Sequence, residues 1–551
     1  MQKEIYVIVT KEETKAAVLE NRKLVEVYLD RSFQKRLAGN IYKGRVANVL
    51  PGMQAAFVNI GLERNAFLYV EDAQPNGRRT LPIQNTVHEG EEILVQVVKE
   101  PFGTKGARVT THLTFPGRYV VFMPESNSVG VSRRIRSEKE RERLKKLSEE
   151  VSIPGRGLIV RTAAEGIAAE ELRQDVQEQY SLWQMVNKKA VHKSAPAIIH
   201  QELELVSWVL RDLFGEDVDR LTTNDKDTYD RILELTQALA PHFINRVFLD
   251  GSDFDEYELD QEITRALRPK VWLKSGGYLV IDEAEALTVV DVNTGKYTGT
   301  KNFAETVFRT NMEAVKEIVR QIRLRNLGGI IVIDFIDMEP REHRSEVIRH
   351  LEDELKKDKT RTCVLGLTQL GLVELTRKKV RPSLSSLLER HCPYCQGTGR
   401  VLSEETVSMQ ACQAIRSLAD QEQALGILVE VHPTVAAFLI GGGGSHLREL
   451  ENEIGKKIII KGSDASHLEE VQATAINSKE EIAALSAPVK PGDVLDVDVE
   501  EAHATNPKDG IARLHGYIID IEDGSDCIGQ KVAVKVDKVY RTCARARIVG
   551  R

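Results

Sequence analysis

Two aspartates and one asparagine stand at the ends of apolar runs whose composition is typical of strands. Asp291 and Asn293 lie two residues apart in LTVVDVN, so a strand would place both side chains on one face. Asp334 ends a second run, GIIVID, whose nearly continuous apolar character predicts a strand buried on both faces. If the strands are parallel neighbours joined by a right-handed crossover, their carboxyl ends meet at one edge and Asp291 and Asp334 converge.

Converging carboxylates at such an edge have the chemistry of a cation site. Ligands of open α/β sheets bind beyond the carboxyl ends of strands, and Mg²⁺ prefers one or two carboxylates together with several waters. A water bound to the ion could become a hydroxide nucleophile, the ion would offset charge on phosphoryl oxygens, and Asn293 could orient that water. A lone aspartate at a strand end is more often a turn former, but burying acids is costly, so the pair favours the metal site. Asp337 fits helix capping as well as a supporting role.

Cys392 and Cys395 form a CxxC within HCPYCQGTG, which is zinc-ligand spacing in a Gly-rich knuckle. No second CxxC follows, and a tetrahedral site needs two more ligands. Either His391 and Cys412 complete the site within the chain, or a second subunit supplies its own pair. The surrounding run from Arg377 to Arg400 has six Lys and Arg against one acid, which fits either a solvated face or a phosphate-tracking patch.

Two phenylalanines lie on short β-runs of a segment that is rich in such runs. Phe57 (AAFV) and Phe67 (NAFLYV) accompany Lys43 and Arg45, and aromatic rings with flanking cations make a stacking platform for single-stranded bases. Half of such aromatics would simply belong to a core.

Arg161 and Thr162 end the run GLIVRT. A planar guanidinium fork and a hydroxyl together suit a terminal phosphate, although a plain surface strand end is the commoner reading of this pattern.

Gly441 to Gly444 lie between a predicted strand and a predicted helix. Such a run could clamp a nucleic-acid backbone in the manner of a KH loop, or it could form a tight turn.

The predicted elements place these residues in several domains. Five short strands between about Gly39 and Gly117 suggest a small OB-type barrel, and the charged runs ending at Glu150 and from Glu165 to Gln184 predict helices. Apolar residues at helical spacing in 302–327 predict the helix that joins the two aspartate-bearing strands. The last 60 residues predict a second small barrel.

Composition agrees with a folded protein of several domains. The chain has 551 residues, 42% hydrophobic and 29% charged, with a formal net charge of −7, which does not exclude nucleic acid because local patches do the binding. Six cysteines are too few for a disulfide framework. No run of about 18 apolar residues and no signal-peptide core occur, so we expect a cytoplasmic protein without a membrane segment. Walker A and GxGxxG motifs are absent, which leaves nucleotide hydrolysis and dinucleotide binding unsupported.

Five separate motifs, DVNTG, GGIIVIDFIDM, HCPYCQGTGR, GNIYKGRV with AAFVNIG, and GLIVRTA, resemble the ribonuclease E/G family of bacterial endoribonucleases over about residues 1–485. A long acidic or arginine-rich tail is missing, which favours the shorter, ribonuclease G-like form of the family. The last segment, with DGIARLHGYIIDIED, is similar to a TRAM-type RNA-binding domain.

The resemblance implies a multidomain α/β and α+β fold with RNase H-like and DNase I-like domains, an inserted S1-type OB barrel, a zinc link, a small domain and a C-terminal TRAM-like β-barrel. The implied boundaries are 1–34 and 206–266 (RNase H-like), 35–117 (S1-type), 118–205 (5′-sensor), 267–388 (DNase I-like, catalytic), 389–403 (zinc link), 404–487 (small domain) and 488–551 (TRAM-like).

The resemblance also implies roles for the residues above. Asp291 and Asp334 match the Mg²⁺ ligands, and Asn293 matches the asparagine that supports the attacking water. Phe57 and Phe67 match RNA-gripping aromatics, Arg161 and Thr162 match the 5′-monophosphate sensor, and Cys392 and Cys395 match thiolates that share one Zn²⁺ between two protomers of a homodimer or homotetramer.

We therefore expect a Mg²⁺-dependent endoribonuclease that hydrolyses single-stranded RNA in rRNA and tRNA processing and in mRNA decay, stimulated by a 5′-monophosphate. A non-catalytic RNA-binding platform is the alternative, and it would have no need for converging acids. A zinc-dependent redox or structural adaptor would leave the aspartates unexplained.

Overall fold

The computed structural model describes residues 2–31, 37–74, 81–101, 105–250, 256–295, 303–421, 424–463, 465–485, 489–503, 506–514, 517–540 and 543–549. The chain forms two compact units, Met1–Glu389 and Arg390–Arg551. Within these ranges no helix has both the length and the apolar character needed to cross a bilayer. The implied boundaries after residues 34 and 487 fall outside the described residues.

The chain begins with an antiparallel three-stranded meander. Its second turn, between β2 and β3, is a two-residue hairpin in which Asn21 and Arg22 both have positive φ, as the right-handed twist of the flanking strands requires. Both faces of the meander are covered, so its strands are apolar almost throughout rather than alternating. The strands are β1 (Lys3–Val9), β2 (Glu13–Glu20) and β3 (Lys23–Arg31).

A closed barrel follows, as the turn-punctuated β-runs predict. Its strands run in the order β4-β5-β6-β8-β7, and β7 pairs back onto β4. Small and branched aliphatic side chains fill the interior, including Ala56, Val58 and Leu68. The elements are β4 (Ile41–Leu50), β5 (Ala55–Asn59), β6 (Ala66–Tyr69), α1 (Val70–Ala73), β7 (Glu92–Lys99) and β8 (Arg108–Thr110).

The next segment packs two helices against a small sheet of order β11-β12-β10-β9. Both charged runs are helical, as predicted, and Ser137 caps the first by accepting a hydrogen bond from the Glu140 backbone N–H. The last strand returns to pair with β4 of the barrel. The elements are β9 (Phe115–Pro116), β10 (Val120–Met123), β11 (Val129–Val131), α2 (Glu138–Val151), β12 (Gly157–Val160), α3 (Ala169–His192) and β13 (Ala197–His200).

Two further strands then complete the first sheet. β14 lies parallel beside β1, and β15 lies parallel beside β14, giving the order β15-β14-β1-β2-β3. Residues 3–31 and 220–249 therefore form one sheet, although the barrel lies between them in sequence. The elements are α4 (Leu205–Trp208), β14 (Arg220–Thr223), α5 (Lys226–Leu239), β15 (Val247–Leu249) and α6 (Glu256–Leu267).

A six-stranded mixed sheet of order β16-β17-β18-β19-β21-β20 carries both aspartates. Only β18 and β19 are a parallel pair among its strands, and α7 is the helix between them. The elements are β16 (Lys270–Trp272), β17 (Tyr278–Glu283), β18 (Leu287–Asn293), α7 (Phe303–Leu324), β19 (Gly329–Asp334), α8 (Arg341–Leu355), β20 (Thr362–Leu367), β21 (Val373–Arg377) and α9 (Leu384–Leu388).

Helix α7 covers one face of the mixed sheet, where Val290, Ile331 and Ile333 pack against Ile318. The other face is open, so the expectation that GIIVID is buried on both faces is wrong: Ile330 is 50% exposed. An apolar run does not by itself reveal whether a strand is covered on both faces or on one face only.

The second unit contains a small α/β domain and a second barrel. In the domain, β22 is parallel to β23 and antiparallel to β24. Gly441–Gly444 join α11 to α12, so their predicted position between a strand and a helix is wrong; α11 is a short helix that the sequence reading assigned to no element. The elements are α10 (Glu404–Ala419), β22 (Gly426–Val431), α11 (Pro433–Ile440), α12 (Ser445–Ile454), β23 (Lys457–Gly462), β24 (Val471–Ile476) and α13 (Lys479–Leu485).

The predicted terminal barrel is closed, with strand order β25-β26-β27-β29-β28. Its interior is made of small and β-branched side chains, including Val499, Ala512 and Ile519. The strands are β25 (Val494–Ala502), β26 (Gly510–Leu514), β27 (Tyr517–Glu522), β28 (Lys531–Val539) and β29 (Cys543–Ile548).

Candidate active site

Asp291 and Asp334 lie directly opposite each other on neighbouring parallel strands, β18 and β19. Asn293, two residues further along β18, donates a hydrogen bond from Nδ2 to Asp291 Oδ2 at 2.7 Å. Both carboxylates are exposed on the open face of the mixed sheet, because their neighbours Val290, Val292 and Ile333 point into the core under α7. The structure thus brings two acids and an amide together at the carboxyl ends of two strands.

The electrostatics of this pair favour a cation. Partial burial raises the pKa of Asp334, and the negative charges of Asp291 and Asp337 raise it further. Such a shift means that the ionised site has an excess of negative charge, which a bound cation would relieve. The described residues hold no cluster of three or more His, Cys, Asp or Glu side chains suited to a metal, so a cation here would keep waters in its shell, as Mg²⁺ does.

Asp337 does not cap the helix that follows it. The N-cap of α8 is Pro340, and no side chain accepts a hydrogen bond there. Asp337 instead lies close enough to Asp334 for its charge to raise the pKa of that carboxyl.

A buried asparagine that sequence reasoning did not single out fixes the loop after β19. Asn311 is fully buried in α7. Its Nδ2 donates to the Ile336 carbonyl at 2.8 Å, and its Oδ1 accepts the Ile336 N–H at 3.2 Å. This pair of hydrogen bonds holds the backbone between Asp334 and Asp337. The sequence does contain a signal for this role. Asn311 falls between Val307 and Ala314 on the apolar face of the predicted helix, and a buried polar residue needs hydrogen-bond partners.

Phe57 and Phe67 are also cross-strand neighbours, on β5 and β6 of the first barrel. Their rings meet edge to face with centroids 5.9 Å apart. Neither ring belongs to the barrel core, because the flanking Ala56, Val58 and Leu68 point inward. The core alternative for these aromatics does not fit their position, and they form a half-exposed pair on the outer face.

Lys43 and Arg45 lie on the strand beside Phe57, and both are paired with one acid. Glu92 Oε2 is 3.0 Å from Lys43 Nζ, and Glu92 Oε1 is 2.7 Å from Arg45 Nη2. The hydrogen bond from Lys43 contributes most to a lowered Glu92 pKa. An RNA phosphate would have to compete with this carboxylate for the two cations.

Arg161 and Thr162 follow β12, and the structure does not leave Arg161 unpaired. Its Nη1 donates to the Gly117 carbonyl at 2.6 Å, and its Nη2 is ion-paired with Asp212. Thr162 Oγ1 lies 3.1 Å from Ser132 Oγ. The Arg161 side chain is a quarter exposed.

Cys395 has the electrostatics of a metal ligand. Its Sγ accepts a hydrogen bond from the Gly399 N–H at 3.3 Å, and the Gly399 and Gly397 N–H groups lower the pKa of the thiol. A lowered pKa favours the thiolate, which is the form that binds zinc. Cys412 lies on α10 against the apolar core of its domain, and burial raises its pKa. In the described ranges His391 and Cys412 do not form a three-ligand cluster with the CxxC.

Two of the six basic residues between Arg377 and Arg400 have structural roles. Arg377 is buried against Asp358, with Nε 2.7 Å from Oδ2. Arg381 lies over the ring of Tyr28, 3.8 Å from its centroid, and donates to the Val27 carbonyl. The run is therefore neither a fully solvated face nor a continuous phosphate patch.

Comparison with known proteins matches three parts of the chain to family models. Residues 114–380 match the ribonuclease E/G family, residues 391–476 match the thioredoxin-like domain of RNase E/G, and residues 488–549 match the TRAM domain. The first match contains both aspartate-bearing strands, and the third contains the terminal barrel.

Full-length relatives agree with these matches. The chain is 43% identical over 474 residues to ribonuclease G of Escherichia coli, covering 84% of this chain and 97% of the relative. It is 43% identical over 473 residues to ribonuclease G of Haemophilus influenzae, covering 83% and 96%. Ribonuclease E of a Nostoc species is 41% identical over 405 residues, which is 72% of this chain and 59% of the relative. On the strength of this identity and coverage, the chain belongs to the ribonuclease E/G family.

Proposed function

We propose that this endoribonuclease hydrolyses single-stranded RNA with Mg²⁺ held by Asp291 and Asp334. The observation that carries the proposal is the pairing of these acids across two parallel strands, with Asn293 beside them on an open sheet face. The processing of rRNA and tRNA, and the decay of mRNA, belong to the same proposal.

The residues present fit a magnesium ion. The donor set is two exposed carboxylates. Partial burial and then the charge of Asp291 raise the Asp334 pKa, and a divalent cation would relieve the repulsion between the two acids. Bound there, Mg²⁺ would supply activation of a water and neutralisation of charge on the phosphoryl oxygens. Asn293 donates to Asp291 and so keeps its amide oxygen as an acceptor that can orient a water. Asn311 holds the loop after Asp334 in place.

RNA would reach this site from the first barrel. Phe57 and Phe67 offer two ring faces for base stacking, which is sequence-tolerant because every base has a π-face. The terminal barrel matches the TRAM domain, and we propose that it also binds RNA.

The direct test uses a 5′-monophosphorylated, A/U-rich oligoribonucleotide with and without Mg²⁺. We expect cleavage only with the metal, leaving a 5′-phosphate and a 3′-hydroxyl on the products. Binding without cleavage under every metal condition would favour a non-catalytic RNA-binding platform instead.

We further propose that Arg161 and Thr162 recognise the 5′-monophosphate. A phosphate monoester carries more charge than a carboxylate and can accept from both edges of the guanidinium fork, so it can compete with Asp212 for Arg161. The Thr162 hydroxyl, already beside Ser132 Oγ, adds a neutral donor.

Arg161→Ala is expected to slow cleavage of 5′-monophosphate RNA toward the rate for 5′-hydroxyl RNA. A charge-assisted contact contributes about 1.5–3 kcal/mol, which corresponds to roughly tenfold to a hundredfold in rate. The ratio of the two rates is the measured quantity, because a general loss of stability would lower both. Arg173→Ala, which removes an exposed arginine paired with Glu170 on α3, is the matched control. An unchanged ratio in Arg161→Ala would remove the sensor from the proposal.

Finally, we propose that Cys392 and Cys395 contribute half of a zinc site shared between two protomers. One CxxC supplies two of the four ligands of a tetrahedral site. The lowered Cys395 pKa favours the ligand form. Such a site would make zinc part of the contact within a homodimer or within a homotetramer.

Metal analysis is then expected to find about half an equivalent of zinc per protomer. Cys392→Ser should lower both the zinc content and the mass measured by light scattering, because thiolate ligands hold zinc tightly. Cys363→Ser, which removes an exposed cysteine of β20, should change neither quantity. One full equivalent per chain in a monomer would contradict the shared site and return the assignment to a site within one chain.

A further inference from the structure

An aromatic pair with a lysine against it lies on the open face of the mixed sheet. Trp272 on β16 and Tyr278 on β17 are cross-strand neighbours with ring centroids 5.3 Å apart at 61°. Lys270 Nζ lies 4.3 Å from the Trp272 ring centroid and 3.6 Å from that of Tyr278. We call these three residues the Trp272 platform.

The strand register places the platform on the same face as the catalytic aspartates. Residues directly opposite on paired strands share a face. Tyr278 lies opposite Asn293. Val280 lies opposite Lys270 on one side and opposite Asp291 on the other. The platform is therefore one and two strands away from β18, roughly 5 and 10 Å across the sheet.

The exposure of Trp272 is unusual for its residue type. The residue is 62% exposed, whereas the other two tryptophans, Trp183 and Trp208, are half-buried against aromatic neighbours. A large aromatic surface left in water on a sheet face indicates a binding surface rather than a core. Cross-strand packing of Trp272 against Tyr278 keeps the indole in place without covering it.

The positive charge of Lys270 beside the rings of Trp272 and Tyr278 indicates which kind of ligand this surface binds. Among the described residues no carboxylate forms an ion pair with Lys270, although it lies within reach of both rings. An aromatic face beside such a cation suits a nucleotide. The base can stack on the ring, and the ammonium group can pair with the backbone phosphate. A plain apolar partner would leave Lys270 without a counter-charge.

We propose that the Trp272 platform stacks a nucleobase of the RNA strand next to the scissile bond, with Lys270 contacting the adjacent phosphate. The inference rests on the proposed function of Asp291 and Asp334 and gives their substrate a fixed position. Holding one flanking base fixes the approach of the phosphodiester to the carboxylates, because orientation of a bound reactant lowers the barrier. Stacking would act on any base, so it adds affinity and alignment without adding a sequence preference.

Binding is tested in an Asp334→Asn background, in which the RNA is expected to stay intact. Titration with a short unstructured oligoribonucleotide should quench tryptophan fluorescence, and Trp272→Phe in the same background should remove most of the quenching while keeping the affinity. Trp272→Ala should weaken binding by roughly fivefold to a hundredfold, which is the range for loss of one stacked base. Leu365→Ala, which truncates an exposed side chain near the opposite edge of the same sheet, is the matched control.

Cleavage by otherwise wild-type protein provides the second readout. Trp272→Ala should raise KM more than it lowers kcat, and Trp272→Phe should restore both because it keeps an aromatic face. Wild-type affinity and KM in Trp272→Ala would overturn the proposal. Unchanged RNA affinity with a lower light-scattering mass would also overturn it, since the platform would then be a contact between copies. If instead Asp334→Asn cleaves normally while Trp272→Ala weakens binding, the metal-site assignment fails and the RNA platform remains.

Discussion

Asp334→Asn is expected to abolish RNA cleavage while RNA affinity changes by less than roughly tenfold, because the barrels and their stacking surfaces remain intact. The substitution removes one of two carboxylates that face each other across β18 and β19, and an amide is a weaker ligand for a hard cation. Asp291→Asn should behave in the same way and would also change the partner of Asn293. Single-turnover cleavage and a filter-binding titration of the same oligoribonucleotide measure the two quantities.

Asp282→Asn is the control for charge alone. Asp282 is an exposed acid on β17, and by strand alternation it shares the open face with Asp291. This variant removes the same negative charge from the same face without touching the proposed ligands, so we expect near-wild-type cleavage. Full activity of Asp334→Asn at low millimolar Mg²⁺ would show that the pair is not the catalytic site.

Arg377→Met is expected to cost about 3–5 kcal/mol of unfolding free energy, because it leaves the Asp358 charge buried without its partner. The side chains of Arg377 and Asp358 are 5% and 2% exposed. Arg377 also donates to the Leu327 carbonyl at 2.8 Å and to Asn326 Oδ1 at 3.0 Å, so one guanidinium joins two loops to the end of β21. The double variant Arg377→Met, Asp358→Leu should recover part of the loss, since no charge then stays buried.

Urea denaturation followed by tryptophan fluorescence measures this loss in the correct part of the molecule. All three tryptophans lie in the unit Met1–Glu389, so their signal reports that unit alone. Arg349→Ala, in the same unit, breaks an exposed pair with Glu346 and should cost less than about 1 kcal/mol. An Arg377→Met midpoint equal to that of the wild type would mean that the buried pair contributes nothing net.

The sequence predicted the part of the site that depends on strand periodicity. Asp291, Asn293 and Asp334 could be placed together because side chains alternate along a strand and parallel neighbours end at one edge. Both barrels and the two charged helices followed from regular local patterns. These are properties of short segments, and a single sequence contains them.

What the sequence could not give depends on contacts between distant segments. Nothing local distinguishes Arg377, which is buried against Asp358, from its neighbour Lys378 in the same basic run. The Trp272 platform arises from the register of β16 on β17, and the same three residues in another register would lie apart. The open face of the mixed sheet was hidden for a similar reason, because burial of Ile330 depends on what covers it.

The order of strands in the first sheet has a consequence for synthesis of the chain. Strand β1 pairs on one side with β2 and on the other with β14, whose partner residues lie more than 200 positions later. At roughly 5–20 residues per second, a ribosome needs on the order of 10–40 s to add that stretch, and during this time the β1 edge has no partner strand. Unpaired strand edges are templates for intermolecular pairing. The first barrel can close in the interval, because β4 to β8 are contiguous in the chain. Prompt closure of that barrel shortens the free chain joining β1 to β14, which lowers the loop entropy opposing completion of the sheet.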